Sequence, residues 1–441
     1  IRSLKRKLTF KGVEELITSL ERKLYDASIS PNAKTAISLD EFTNALKDIK
    51  NVVVRDHQSL YLDEIDSVIN KTQLFGFRFA TLDIRQDSRK HNEVFNDVTE
   101  MLLKKTDLLP ENFNLQTAKQ QVRTLSKIEG SLDVKWFKDE FTIKTLKTIR
   151  VIKEIQETNG ELAANRYIIS NNQTALNVMQ LFAMLKLTAF HDELTVDIAP
   201  LFETIPDLEN ASDVMEELYS NKAYREHLKK RGNKQTIMLG FSDGTKDGGY
   251  LMANWAIYKT KEALTKISRK HKISVIFFDG RGGPPARGGG KTHNFYASLG
   301  PTIEDKEVQL TIQGQTISSN FGTKNSSQYN MEQLISSGIL NRLSDNNPKL
   351  SRTDKSTINN LAKISYENYK KFKQHPKFLS YLERMSTLKY YAKTNIGSRP
   401  SKRSNSTSLD FGDLRAIPFV GSWSQLKQNV PGFYGVGTAL K

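Results

Sequence analysis

The chain has 441 residues, enough for about two to three domains or one large barrel. It contains no cysteine, which excludes disulfide bonds, thiolate catalysis and cysteine-based zinc sites. Its 65 Lys and Arg against 49 Asp and Glu give a net charge of +16, which suits anionic partners of several classes. No apolar run reaches the roughly 18 residues of a membrane span, and no secretory signal is visible, so we expect a cytoplasmic protein without a membrane partner.

The first predicted elements are helices in residues 1–72. Apolar residues recur at three- and four-residue spacing in residues 10–25 and 39–49. Ser38 and Glu41 form a capping-box pattern ahead of the second helix. We therefore predict a helical N-terminal segment that carries no catalytic chemistry.

Apolar runs of β type follow, and helical segments separate them. The runs are residues 75–88, 166–170, 194–202, 235–241, 274–278 and 308–312. Strands that alternate with helices predict a parallel sheet, and runs that end in polar or glycine-rich loops favour a barrel with its site on one rim. We predict a helix-rich α/β fold whose residues 73–330 form a TIM-like β/α barrel, incomplete in this chain.

Residues 331–441 are predicted to be a third, mostly helical part. It contains an aromatic stripe at helical spacing, which we interpret as core: Tyr366, Tyr369, Phe372, Phe378 and Tyr381. Residues 397–409 are a basic, serine-rich loop, and the block LRAIPFVGSWSQ follows it. Because the chain starts at Ile1 and stops just after an apolar, glycine-rich run, we expect a longer parent protein.

Two carboxylates follow predicted strands. Glu203 lies in APLFETIPDL and Asp243 in MLGFSDGTKDGG. Two hard oxygen ligands on neighbouring loops, with positions open for water and substrate, suit Mg²⁺. The alternative is that each carboxylate caps a following helix, and spacing alone does not decide between the two. Lys246, in the same loop as Asp243, suits phosphate, or else forms an exposed ion pair with Asp247.

The stretch 274–291, SVIFFDGRGGPPARGGGK, places a glycine-rich loop directly after an apolar run. Glycine N–H groups and arginine forks together favour an anion site at the end of a strand. The loop arginines are Arg85, Arg281, Arg287, Arg399 and Arg415. If several converge, they suit a doubly anionic substrate and phosphoryl transfer; singly, each could pair with an acid such as Asp87 or Asp413.

Other catalytic motifs do not match. The glycine-rich loop has neither Walker nor dinucleotide-binding spacing, and no nucleophile elbow is present. The seven histidines show no metal-ligand spacing. No nucleic-acid-binding module is visible, and we expect no nucleic acid partner, although the positive charge keeps that alternative open.

Several blocks, in the same order, resemble the phosphoenolpyruvate carboxylase family. They are FGFRFATLDIRQDS, LFETIPDL, MLGFSDGTKDGG, FFDGRGGPPARGGGKTH, VQLTIQGQTISSNFGT, IGSRPSKR and LRAIPFVGSWSQ. The resemblance implies a barrel enzyme, a homotetramer when complete, that converts phosphoenolpyruvate and bicarbonate to oxaloacetate and phosphate with Mg²⁺ or Mn²⁺. Carboxyphosphate and a metal-stabilised enolate are the implied intermediates.

The resemblance also implies residue roles by matched position. Glu203 and Asp243 resemble the metal ligands, and Lys246 matches a lysine beside the metal. The implied substrate-binding residues are Arg85, Arg281, Arg399 and Arg415. The implied catalytic residues are Lys246, Arg281 and Arg287, the last on a mobile glycine-rich loop.

The sequence also departs from the family pattern. Asp279 stands where members commonly have histidine, and Ala286 where glycine is usual. The family's N-terminal block with its catalytic histidine and the C-terminal part of the inhibitor site are not among the 441 residues, so we expect this polypeptide to be inactive alone. These departures leave one alternative open, a catalytically silent homologue that binds phosphoenolpyruvate or an effector.

Overall fold

The computed structural model describes residues 1–29, 37–281, 283, 285–312, 315–343, 350–391, 411 and 414–441. These residues fall into two compact units, Ile1–Leu82 with Val151–Asn165, and Asp83–Arg150 with Arg166–Lys441. The three-part domain division made from the sequence stays a prediction. Within the described ranges, no helix combines the length and the apolar character needed to cross a membrane.

The first unit is helical, as predicted. Its N-terminal helices are α1 (Arg2–Lys7), α2 (Glu14–Ile29), α3 (Leu39–Asp56) and α4 (Leu62–Phe75). The capping box is confirmed: Glu41 N donates to Ser38 Oγ at 3.1 Å, and Ser38 N donates to Glu41 Oε2 at 2.8 Å. Leucine, isoleucine, valine and phenylalanine side chains at helical spacing form its buried core.

The first predicted strand begins later than the sequence suggested. Residues 76–82 form turns, and the strand covers only Asp83–Asp87. Phe79 has φ of 61°, a left-handed conformation that a strand cannot contain, and it is 80% exposed. Phe77 and Phe79 instead contact the rings of Phe42 and Phe75, so alternation of aromatic residues alone does not establish a strand here.

The second unit contains one open sheet of parallel strands in sequential order. The strands are β1 (Asp83–Asp87), β2 (Arg166–Ser170), β3 (Asp197–Phe202), β4 (Lys234–Leu239), β5 (Ser274–Asp279) and β6 (Val308–Leu310). The predicted helix-rich α/β fold with a parallel sheet is thus confirmed. Strand order without reversal is what a barrel requires. Closure of the sheet into a TIM-like barrel stays a prediction.

Helices alternate with these strands along the chain and continue after the last one, and residues 151–159, the end of the third helix named here, belong to the first unit. They are α5 (Ser88–Lys105), α6 (Ala118–Leu125), α7 (Glu140–Asn159), α8 (Ala175–Thr188), α9 (Ile205–Ser220), α10 (Lys222–Lys230), α11 (Phe241–Gly248), α12 (Tyr250–Lys270), α13 (Thr292–Ala297), α14 (Gln315–Phe321), α15 (Lys324–Leu343), α16 (Arg352–Lys373), α17 (Phe378–Met385), α18 (Leu388–Tyr391), α19 (Ala416–Gln425) and α20 (Val436–Leu440). Short 3₁₀ turns occur at Phe113–Leu115, Val134–Trp136, Glu161–Ala163 and Pro285–Arg287.

The two faces of the sheet contact different groups of residues. One face packs a small apolar cluster: Ile168, Ala199, Leu201 and Met238, with Phe278 against them. Arg85 is in register with Ile168, and Glu203 follows Leu201 by two residues, so both belong to this face. Asp279, one residue beyond Phe278, points to the opposite face, towards the helices.

The aromatic stripe is core only in part, because Tyr381 is 40% exposed. Tyr369 and Phe378 are buried, and Phe372 stacks on Tyr434 with ring centroids 4.4 Å apart. Phe378 also packs within a cluster that includes Trp423 of α19. The C-terminal helices are therefore held to one another by aromatic packing rather than by surface charge.

Candidate functional site

Two predicted site residues meet across the sheet, on strands that β2 separates. Arg85 lies in the middle of β1, and Glu203 directly follows β3. Arg85 Nη2 lies 3.9 Å from Glu203 Oε1, and the Glu203 side chain is only 5% exposed. Parallel strands end at one edge of the sheet, which explains why residues distant in sequence converge there.

The loop predicted around Asp243 is a short helix, α11. Gly240 occupies the N-cap position of α11, and Gly249 that of α12, so Asp243 caps neither helix. Likewise Thr204, not Glu203, caps α9. The helix-capping alternative is therefore excluded for both carboxylates. Asp243 lies instead in the first turn of α11, where the helix dipole stabilises a carboxylate.

Gly240 keeps α11 close to Glu203. Gly240 N donates to the carbonyl of Phe202 at 2.9 Å, and a methyl group at Gly240 would lie 3.1 Å from Glu203 Cα. A methyl at Gly244 would lie 3.4 Å from the carbonyl oxygen of Glu203. The residues on either side of Asp243 thus pack directly against Glu203, which places the two carboxylates on adjoining segments.

Lys246 is buried, which excludes the alternative of an exposed ion pair with Asp247. Its Nζ donates to the carbonyls of Phe411 at 2.8 Å and Leu414 at 2.5 Å, and it lies 4.4 Å from the Phe411 ring centroid. Asp247 accepts instead from Lys373 and from the N–H of Ile205. Lys246 therefore links α11 to the segment that precedes Arg415.

Arg281, two residues beyond β5, is 9% exposed and stacks on aromatic rings. Its guanidinium carbon lies 4.5 Å from the Phe295 ring centroid and 5.9 Å from that of Phe241. Nη1 donates to the carbonyl of Gly290 at 3.2 Å. Burial lowers the pKa of Arg281 from its ordinary value. The side chain is held rigidly at the carboxyl edge of the sheet.

The buried Nε atoms of Arg85 and Arg281 have no hydrogen-bond partner among the described residues. A buried polar group without a partner is costly, and in native proteins it commonly faces a water or a ligand. Two guanidinium groups with this property at one edge of the sheet favour an anionic ligand.

Arg287 and Arg415 are placed beside α11 by their neighbours. The carbonyl of Arg287 accepts from Ser242 Oγ at 3.2 Å. Arg415 is the N-cap residue of α19, and Leu414 before it is fixed by Lys246. Ala286 is 6% exposed and packs in the cluster of α19 and Leu414. Its methyl group thus helps hold the loop that carries Arg287.

Arg399 lies outside the described residues, as do Asp413 and the basic loop 397–409. The structure brings the other predicted site residues into one neighbourhood through the contacts above. It also shows a group that the sequence analysis missed: Lys261 and Tyr296 both bind Asp279. The available signal was a lysine on the apolar face of α12, which buries Ile257, Leu264 and Thr265.

The carboxylates can be tested against the metal that the resemblance implies. Across the described ranges, no group of three or more His, Asp or Glu side chains forms a ready metal cage. Mg²⁺ does not need one, because it commonly uses one or two carboxylates together with water and substrate phosphate. Glu203 and Asp243, on adjoining segments and with Arg85 beside Glu203, are donors of the type that Mg²⁺ uses, so their chemistry fits the metal.

The family model described as phosphoenolpyruvate carboxylase matches residues 4–441. The phosphoenolpyruvate carboxylase of Prochlorococcus marinus (strain MIT 9515) is 32% identical over 435 residues, which cover 96% of this chain and 43% of the relative.

Two further phosphoenolpyruvate carboxylases are equally similar. That of Corynebacterium diphtheriae is 32% identical over 439 residues, covering 96% of this chain and 48% of the relative. That of Nitrosomonas eutropha is 32% identical over 430 residues, covering 95% and 45%. The chain spans slightly less than half the length of these relatives. By the match over almost its entire length, the chain belongs to the phosphoenolpyruvate carboxylase family.

Proposed function

We propose that this chain carries the metal- and phosphate-binding part of a phosphoenolpyruvate carboxylase. Such an enzyme is a carbon–carbon lyase that forms oxaloacetate and phosphate from phosphoenolpyruvate and bicarbonate. The observation that carries the proposal is the pair of buried, unpartnered Nε atoms of Arg85, which lies beside the Glu203 carboxylate, and of Arg281, which follows β5. Family membership supports the substrate pair, and the geometry supports an anion at this edge.

Mg²⁺ or Mn²⁺ would be held by Glu203 and Asp243. When bound, the ion supplies positive charge that neutralises the phosphate and the negative charge that develops during the reaction. The two carboxylates lie on rigid supports, the end of β3 and the first turn of α11. Their role in this proposal is to fix the ion beside the arginines.

The arginines bind and orient the phosphate. Arg85, Arg281 and Arg415 hold it from different segments, with Arg399 as a fourth contact, and Arg287 acts from the glycine-rich loop. Bicarbonate attacks phosphorus, the bond to the enol oxygen breaks, and carboxyphosphate and the enolate of pyruvate result. Carboxyphosphate then releases phosphate and CO₂, and the enolate carbon attacks CO₂ to give oxaloacetate. Fixed cations lower the cost of each charged state.

Lys246 completes the proposed catalytic set together with Arg281 and Arg287. Its ammonium adds positive charge near the metal and phosphate from within α11. We further propose that the complete enzyme is a cytoplasmic homotetramer. Because the chain covers less than half of its relatives, we also propose that the 441 residues alone do not turn over substrate.

The test is bicarbonate-dependent formation of oxaloacetate by the longest polypeptide that the gene encodes. Arg281→Met should abolish turnover, whereas Arg269→Met should not, because Arg269 is an exposed residue paired with Glu304. A folded protein that binds phosphoenolpyruvate without forming oxaloacetate would replace the carboxylase proposal with the silent homologue. Full activity of Arg281→Met would contradict the proposed phosphate site.

A further inference from the structure

A buried charged cluster lies directly behind the proposed phosphate site. Lys261 of α12 and Asp279, the last residue of β5, are both 0% exposed, with Nζ 2.7 Å from Oδ2. Tyr296 of α13 donates to the same oxygen at 2.5 Å. The other carboxylate oxygen, Oδ1, is buried without a hydrogen-bond partner among the residues that the structure describes. A fully buried ion pair is expensive to maintain unless it serves another purpose.

Arg281 is a second cation whose charge interacts with the same carboxylate. Only Gly280 separates it from Asp279 along the chain. Lys261 Nζ and the Arg281 guanidinium also share the ring of Phe295, at 5.2 Å and 4.5 Å from its centroid. Burial lowers the pKa of Lys261 while the Asp279 charge opposes that change, and Arg281 repels Lys261. The three charges are thus electrostatically coupled.

One carboxylate between two cations creates a competition. If Lys261 neutralises Asp279, the cluster retains one uncompensated positive charge, and that charge is on Arg281. If Lys261 is removed, the buried Asp279 carboxylate must find another partner, and Arg281 is the adjacent cation. When Arg281 pairs with Asp279, the carboxylate neutralises the guanidinium charge, and the electrostatic attraction between Arg281 and an anionic ligand becomes weaker.

We propose that Lys261 is a positioning residue for Arg281: by holding the Asp279 carboxylate, it leaves the Arg281 guanidinium available to a phosphate-bearing ligand. This inference rests on the proposed function of the site. It assigns to Lys261 and Asp279 a role in ligand affinity although neither side chain is exposed to a ligand. Tyr296 supports the arrangement by occupying Asp279 with a neutral hydrogen bond.

The experiment is isothermal titration of phosphoenolpyruvate, with Mn²⁺ present, into the 441-residue chain and three variants. Arg281→Met sets the level expected when the guanidinium is lost. Lys261→Met should weaken binding by about tenfold or more, close to Arg281→Met, even though Arg281 is intact. The neutral double variant Lys261→Met with Asp279→Asn should recover affinity to within about threefold of the unchanged chain, because Arg281 no longer has a buried anion to pair with.

Recovery of phosphoenolpyruvate affinity by the second substitution distinguishes a positioning role from a merely structural one. If Lys261 only stabilised the core, a second core substitution would normally lower stability further and would not restore affinity. Unchanged affinity in Lys261→Met would overturn the inference while leaving the proposed function intact. If Lys261→Met does not fold, as judged by circular dichroism, the double variant decides alone: affinity as low as that of Arg281→Met would overturn the inference. Absence of binding by the unchanged chain would overturn the proposed function and this inference together.

Discussion

Gly240→Ala should damage the proposed metal site without touching a carboxylate. A methyl group at Gly240 would lie 3.1, 3.2 and 3.3 Å from Glu203 Cα, Cγ and Cβ, all inside the 3.4 Å at which ordinary contact begins. The hydrogen bond from Gly240 N to the Phe202 carbonyl fixes the spacing of the two segments, so they cannot slide apart to relieve the clash. Glu203 must therefore move by a few tenths of an ångström.

The expected cost follows from overpacking and from metal geometry. Overfilling a packed region destabilises by roughly 1–3 kcal/mol, and metal–ligand distances tolerate only about 0.2 Å. We expect a lower urea midpoint and about tenfold weaker Mn²⁺ binding, a loss of roughly 1.4 kcal/mol. Both are measurable on the 441-residue chain by denaturation and by Mn²⁺ titration.

Gly338→Ala provides the matched control. Gly338 lies within α15, and a methyl group there has nothing within 4 Å. Alanine should stabilise that helix by about 0.5–1 kcal/mol and leave Mn²⁺ binding unchanged. If Gly240→Ala behaves like Gly338→Ala in both measurements, the argument that Gly240 sets the position of Glu203 is wrong.

Other predictions concern a metal ligand, a buried lysine and a buried histidine. Asp243→Asn should weaken Mn²⁺ binding strongly while Asp279→Asn should not, because Asp279 binds Lys261 on the helical side of the sheet; equal small effects would refute the assignment of Asp243. Lys246→Met removes the charged donor from the carbonyls of Phe411 and Leu414, and we expect it to lower the free energy of unfolding by about 2–4 kcal/mol. An unchanged urea midpoint would refute this prediction. Burial lowers the pKa of His91 to about 4, so stability should decline as the pH falls from about 6.5 towards 4, by up to about 3 kcal/mol. His91→Phe should reduce that decline in urea midpoints compared near neutral pH and about pH 5, the remainder coming from His227, whose pKa burial lowers to about 3; an unaltered decline would contradict the prediction.

The strand positions were largely predictable because buried parallel strands are short apolar runs bounded by polar loops. Residues 166–170 match β2, and the runs at 235–241 and 274–278 overlap β4 and β5 with boundary errors of one or two residues. The strand prediction for residues 75–82 was wrong because alternating aromatic residues do not show whether their side chains become buried. Phe77 and Phe79 are both exposed in turns. Pattern reasoning finds strands through burial, and so it fails where aromatic residues remain exposed.

The site was less predictable because its supports come from distant parts of the chain. Sequence order placed Glu203 and Asp243 near strand ends, but only the structure shows that Gly240 packs against Glu203. Asp279 looked like a departure from the family with no compensation. Its partner Lys261 lies on a helix 18 positions earlier, a pairing that only tertiary packing reveals.

The central claim is that the carboxylates Glu203 and Asp243 and the arginines form one site, and metal-dependent substrate binding tests it most directly. Phosphoenolpyruvate affinity should be measured by titration with and without Mn²⁺, on the unchanged chain and on Glu203→Gln. If metal and phosphate share the site, Mn²⁺ should raise the affinity of the unchanged chain by about tenfold or more and leave Glu203→Gln almost unaffected. Equal affinity with and without Mn²⁺ in the unchanged chain would contradict the account.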